Sequence, residues 1–184
     1  MTTGLYGGAF DPPHLGHVDV ARAAKERFDL PRLVVLVSAA PGHKDVEAPA
    51  EARLELARAA FPDEDVRLDP YPRTVDMLRA ERFDDPLFVI GADQFRDLPS
   101  WKEPDAVLEL ARLAVATRPG LPREQLDAVL AGLVRPDRVL FFDLEPNAAA
   151  SSDIRRLAAA GEPLDDLVPP AVAELIRARG LYIR

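Results

Sequence analysis

Cysteine is absent from all 184 residues, which excludes disulfides, thiolate nucleophiles and cysteine-held zinc or iron–sulfur centres, and suits a reducing cytoplasm. A basic excess is missing too. Lys and Arg total 23 against 31 Asp and Glu, a formal net charge of −8 with a pI near 4.9, which argues against nucleic-acid or anionic-membrane partners. No long apolar run occurs: the longest uncharged stretch, near residues 33–40, is too short to cross a bilayer, and no basic-then-apolar leader opens the chain. The expectation is a soluble, cytoplasmic protein. With 48% hydrophobic and 29% charged residues the chain can bury one substantial core, and we read residues 1–184 as a single domain, with C-terminal helices from about 151 to 184 packed on it.

What is present is a regular alternation. Short β-branched or apolar runs at Gly4–Tyr6, Leu33–Val37, Val66–Leu68, Leu87–Ile90, Leu113–Ala116 and Val139–Phe142 read as strands. Helical apolar spacing separates them, as in Leu54–Ala60 and Ala106–Ala111. This pattern predicts an α/β fold, a Rossmann-like open parallel sheet with helices on both faces. Ligands of such sheets gather at the carboxyl ends of the strands. Residues 121–135 read as an inserted helix, and 169–179 as a terminal helix opened by Pro-Pro and stopped by Gly180.

The stretch Gly8-Ala9-Phe10-Asp11-Pro12-Pro13-His14-Leu15-Gly16-His17 carries most of the chemistry. Gly7 and Gly8 are expected to let the backbone turn sharply and a ligand approach it closely. His14 and His17, three apart, share a face near a helix start, where free N–H groups and the helix dipole favour anions. A second candidate helix start, Ser151-Ser152-Asp153-Ile154-Arg155-Arg156, is read with a serine cap and two arginines in its first turn. The dipole disfavours cations there, so a bound polyphosphate would supply the missing negative charge. Lys44, Arg118, Arg155 and Arg156 are expected to converge with the histidines into a local positive cleft despite the acidic exterior. Gly91 and Asp93, at a strand end, suit the hydrogen bonding of ribose hydroxyls.

The first string resembles the G-x-F-D-P-x-H-x-G-H signature of the nucleotidyltransferase superfamily, with every fixed position met. Ala9 stands where that family commonly places Thr or Ser. Ala149 to Arg155 resembles its second signature, I-S-S-T-x-I-R, with alanines at 149 and 150. Gly91 to Lys102 is similar to the G-x-D-x-x-x-x-L-x-x-W-K segment of bacterial nicotinate-nucleotide adenylyltransferases, in which the tryptophan helps form the pyridine pocket. Pro41–Lys44 resembles P-P-H-K; Arg73–Leu78 resembles Y-T-x-D-T-L, with Arg73 in place of Tyr; and 117–120 resembles R-P-G.

The resemblance implies adenylyl transfer from ATP to nicotinate mononucleotide, giving nicotinate adenine dinucleotide and pyrophosphate. In its terms His14, His17 and Arg155 hold the triphosphate, with Ser151 and Ser152 assisting. Gly7, Gly8, Phe10, Asp11, Gly91 and Asp93 line the adenosine side; Lys44, Thr74 and Trp101 serve the acceptor. Mg²⁺ is expected to enter with ATP through phosphate oxygens and water, with no dedicated protein metal cage. Adenylylation of nicotinamide mononucleotide or phosphopantetheine, or a non-catalytic dinucleotide sensor, are the alternatives. Oligomeric state is left open.

Overall fold

A computed structural model describes the chain except residues 43–45, 118–122, 146, 148 and 184. Six parallel strands form one sheet in the order β3-β2-β1-β4-β5-β6. They are β1 (Thr3–Gly8), β2 (Arg32–Ser38), β3 (Asp65–Asp69), β4 (Pro86–Gly91), β5 (Arg112–Thr117) and β6 (Val139–Asp143). All six coincide with the expected runs.

The helices are α1 (Leu15–Phe28), α2 (Ala50–Ala60), α3 (Thr74–Ala80), α4 (Ala92–Arg96), α5 (Pro104–Leu110), α6 (Arg123–Ala131), α7 (Ser151–Ala159) and α8 (Pro170–Arg179). α8 begins on a proline and ends on Gly180, whose φ of 59° is the left-handed conformation that glycine adopts without penalty.

Strand alternation divides the core. Leu33, Val35 and Val37 point to one face with Leu87, Val89, Ala114 and Ala116, where α1, α2, α7 and α8 cover them. Val34 and Leu36 point to the other with Phe88, Ile90, Leu113 and Val115, under α3 to α6. Because both faces are buried, these strands are apolar throughout instead of alternating. α8 packs on α2, so Val172, Ala173 and Ile176 belong to the same apolar cluster as α1.

The strand order changes direction at β1. From there the chain steps through α1 to β2 on one side, while β4 lies against the other. Loops leaving β1 and β4 therefore diverge and open a crevice at their carboxyl ends. Gly8 and Gly91 are the residues at that edge.

Candidate active site

The chain leaves β1 differently from what its glycines suggest. Gly7 and Gly8 remain in the strand, and the sharp turn falls on Phe10, a non-glycine residue at φ 50°. The glycines are required by ring packing: a Cβ on Gly7 would lie 3.0 Å from the Phe88 ring, and one on Gly8 would lie 2.9 Å from the Phe10 ring. The Phe10 ring is thereby sunk beneath the turn, 2% exposed, and meets the His17 ring edge-on with centroids 5.1 Å apart.

His14 is the N-cap of α1, and its backbone N–H donates to His17 Nδ1 at 3.2 Å. With Nδ1 accepting, the neutral His17 ring carries its proton on Nε2 and acts as a donor there. The two rings stack with centroids 3.7 Å apart. Gly16 makes this possible, since a Cβ there would meet the His14 ring at 3.1 Å.

Asp11 is a buried node. Its carboxylate accepts the backbone N–H groups of Glu47 (2.7 Å) and Ala48 (3.1 Å) and the Tyr182 hydroxyl (2.8 Å). Burial, with this hydrogen bond second, pushes the Tyr182 hydroxyl well above the usual tyrosine range, so it stays a donor to Asp11. Arg155 completes the arrangement: its Nη1 donates to the Asp11 carbonyl at 2.8 Å and its Nε to Glu47 Oε1 at 3.0 Å.

A second hub, Arg53 on α2, carries no motif. It is 1% exposed, and its guanidinium donates to the carbonyls of Ala9 (2.7 Å), Ser38 (2.8 Å), Ala39 (3.3 Å) and Ala48 (3.1 Å). One cation thus ties together the turn after β1, the end of β2 and the loop before α2. Its signal in the sequence is its spacing: Arg53, Leu56, Ala57 and Ala60 all fall on the buried stripe of α2.

Three adjoining cavities follow the strand ends. The first, about 160 Å³, is lined by Gly7, Gly8, His17, Ser151 and Arg155, among others. A second of about 100 Å³ runs from Gly7–Ala9 past Asp69 to Thr74 and Trp101. The third, about 350 Å³, is bounded by Arg73, Thr74, Asp97, Trp101 and Lys102. Gln94 lines all three, and its Oε1 accepts the Gly91 N–H at 3.2 Å, which orients the side chain. Together the cavities form a trench from a cationic end to an aromatic end.

The cytidylyltransferase-like family model matches residues 5–157. A chain of Thermus thermophilus named probable nicotinate-nucleotide adenylyltransferase is 38% identical over 194 residues, covering 99% of this chain and 100% of that one. A Rubrobacter xylanophilus chain of the same name is 35% identical, covering 99% and 92%. The chain belongs to the nicotinate-nucleotide adenylyltransferase family. Its fold is shared with the Plasmodium falciparum nicotinic acid mononucleotide adenylyltransferase solved with APC, at a TM-score of 0.76 and 16% identity, covering 98% of this chain and 96% of that one.

Within this adenylyltransferase the structure brings together Gly7, Gly8, Phe10, Asp11, His17, Ser151 and Arg155 at one end of the trench, and Thr74 and Trp101 at the other. His14 is buried at the helix start and meets the cavity through His17. Asp93 is exposed and paired with Arg96 at 3.0 Å, and Ser152 is exposed on α7.

Three further expectations are corrected. α7 starts at Ser151 with Ala150 as its N-cap, so no serine caps it; the Ser151 hydroxyl donates instead to the Pro12 carbonyl at 2.9 Å. Arg155 and Arg156 consequently lie in the second turn, where the dipole effect has faded. Arg156 leaves the cleft altogether, 69% exposed and 3.6 Å from Asp153. Lys44 and Arg118 lie outside the described residues. Among the described residues no three His, Asp or Glu side chains converge as a metal cage, and no helix is long and apolar enough to cross a membrane.

Proposed function

We propose that this chain transfers the adenylyl group of ATP to nicotinate mononucleotide, forming nicotinate adenine dinucleotide and pyrophosphate in NAD biosynthesis. The observation that carries the reading is the continuity of the trench. A phosphate-binding end (His17, Arg155) and a pyridine-binding end (Thr74, Trp101) share Gly7, Gly8, Ala9 and Gln94 between them.

An oxygen of the acceptor phosphate attacks the α-phosphorus; a new P–O bond forms as the bond to the β-phosphate oxygen breaks and pyrophosphate departs. The acceptor phosphate is already ionised near neutral pH, so the step uses no protein nucleophile and no strong base. Catalysis then comes from holding two anions in line and stabilising the charge that builds on the α-phosphate and leaving group.

His17, its Nδ1 occupied by the His14 backbone, donates from Nε2. Arg155 supplies a full positive charge, and the incoming triphosphate takes the place of Glu47 on its guanidinium. His14 holds His17. Ser151 acts through the Pro12 carbonyl that it anchors, and Ser152 lies close enough in sequence to assist. Gly7, Gly8, Phe10, Asp11, Gly91 and Asp93 form the adenosine side, with Lys44 a further phosphate ligand. Bound to ATP through phosphate oxygens and water, Mg²⁺ would supply shielding of the triphosphate charge, leaving His17 and Arg155 to hold the phosphates. The whole chain acts as one domain in a reducing cytoplasm, without nucleic-acid or membrane partners, a reading supported by its acidic charge and lack of cysteine.

Pyrophosphate release from ATP and Mg²⁺, run side by side with nicotinate mononucleotide, nicotinamide mononucleotide and phosphopantetheine, tests this. Preference for nicotinate mononucleotide is expected. Preference for another acceptor overturns the pyridine assignment, and silence with all three, with nucleotide still bound, makes the chain a sensor.

A further inference from the structure

We infer that Arg73 reads the charge of the acceptor's pyridine substituent and is the residue that selects a carboxylate over an amide. This rests on the proposed reaction and concerns its 350 Å³ end cavity.

Three charged groups line it: Arg73, Asp97 and Lys102. Lys102 is engaged, its Nζ 2.8 Å from Asp76 Oδ1. Arg73 is exposed, and its guanidinium donates to the carbonyl of the neighbouring Pro72 at 3.2 Å. Among the described residues no carboxylate lies within 4.0 Å of it. In a chain with formal net charge −8, this leaves the cavity a cation still to be matched.

Arg73 also lines the 100 Å³ cavity that leads back to Gly7–Ala9, so it stands where the route from the phosphate end opens onto Trp101. The Pro41–Gly42 loop approaches from the other side, placing the guanidinium 3.6 Å from where a Cβ on Gly42 would stand.

A guanidinium matches a carboxylate with two parallel N–H bonds and a full opposite charge, whereas an amide offers one acceptor oxygen and turns its own donors toward the cation. Asp97, in the same lining, fits the other half of such a ligand, because the ring nitrogen of a ribosylated pyridine is cationic. The acceptor recognised is thus one carrying a positive ring and a negative substituent. The site is open to solvent, which limits the preference to roughly tenfold rather than the much larger factors of sealed pockets.

Trp101 is the only tryptophan, so its fluorescence reports occupancy of this cavity without catalysis. We would titrate wild type, Arg73→Gln and Arg73→Lys with nicotinate mononucleotide and with nicotinamide mononucleotide, without ATP, and measure kcat/KM for both acceptors. The expected result is a roughly tenfold loss of affinity and kcat/KM for the acid in Arg73→Gln. The amide should be unchanged or improved, the KM for ATP unaltered, and the loss partly recovered in Arg73→Lys.

Equal losses for both acceptors, an unchanged acid preference, or no Trp101 response to either ligand in wild type overturns the inference. Failure of the reaction reads differently: wild type then binds the acid in preference at Trp101 but releases no pyrophosphate.

Discussion

The two ends of the trench are built in opposite ways. At the end proposed to bind phosphates, buried polar groups fix the backbone across long sequence separations: Asp11 binds Glu47, Ala48 and Tyr182, and Arg53 gathers four carbonyls from the turn after β1, the end of β2 and the loop between β2 and α2. At the pyridine end, side chains from α3 and the turn after α4 meet at the surface, joined by exposed pairs such as Lys102–Asp76 and Arg79–Glu103. Buried hydrogen-bonded charges are costly to disturb, while exposed pairs contribute little. The end proposed to hold the triphosphate is therefore preorganised, while the end proposed to hold the pyridine rests on exposed contacts that a substitution can change at little cost.

The largest effect expected from breaking this contrast is on stability. Arg53→Met leaves four carbonyls without their donor and should cost about 3–5 kcal/mol, read as a lower urea midpoint at unchanged slope; a loss below about 1 kcal/mol would remove Arg53 from its place as a hub.

Chemistry should fall next. His17→Ala and Arg155→Ala are each expected to lower kcat/KM by about 10²–10³-fold, the range seen when a donor to transition-state charge is lost. His17→Ala should keep a melting temperature close to wild type. Near-normal turnover in both folded variants would contradict the assignment.

At the pyridine end the effect should be smaller and confined to the acceptor. Trp101→Ala should raise the KM for the acceptor about tenfold, a loss of about 1.4 kcal/mol, with the KM for ATP unchanged. A parallel rise in both would show that the two ends are not separable.

The smallest effect lies away from the trench, at the start of β3. Hydrogen bonds from Arg67, with Arg32 adding to them, hold the Asp65 carboxyl at about 2, below its ordinary 3.8. A lowered folded value means that stability from this group is fully present above about pH 4 and is lost as the pH falls toward 2. Asp65→Asn should flatten this part of the acid limb in pH-dependent melts and leave activity at neutral pH unchanged.

The sequence made the strands legible because a sheet covered on both faces demands uninterrupted apolar runs, and Leu33–Val37 is such a run. It made the Gly8–His17 segment stand out because close ring packing and a helix start restrict residue choice there. The turn expected at Gly7 and Gly8 falls instead on Phe10: accommodating the Phe88 and Phe10 rings is a tertiary requirement, and a turn is the local explanation for the same residues. The cap of α7 failed similarly, because Ser151 reaches the Pro12 carbonyl, 139 residues away in the chain, and no local pattern encodes that. Arg53 and Gln94 carried no motif. A buried arginine looks like a solvated one until its four acceptors are folded around it, and Gln94 gains significance only when three cavities meet at its side chain.

The most direct test of a single trench joining two unlike ends is a crystal structure with a non-hydrolysable ATP analogue and nicotinate mononucleotide bound together. The triphosphate is expected beside His17 and Arg155, with Glu47 displaced from the guanidinium, and the pyridine ring at Trp101 with its carboxylate toward Arg73. A triphosphate that avoids Arg155, or a pyridine outside the cavity of Thr74 and Trp101, would contradict it.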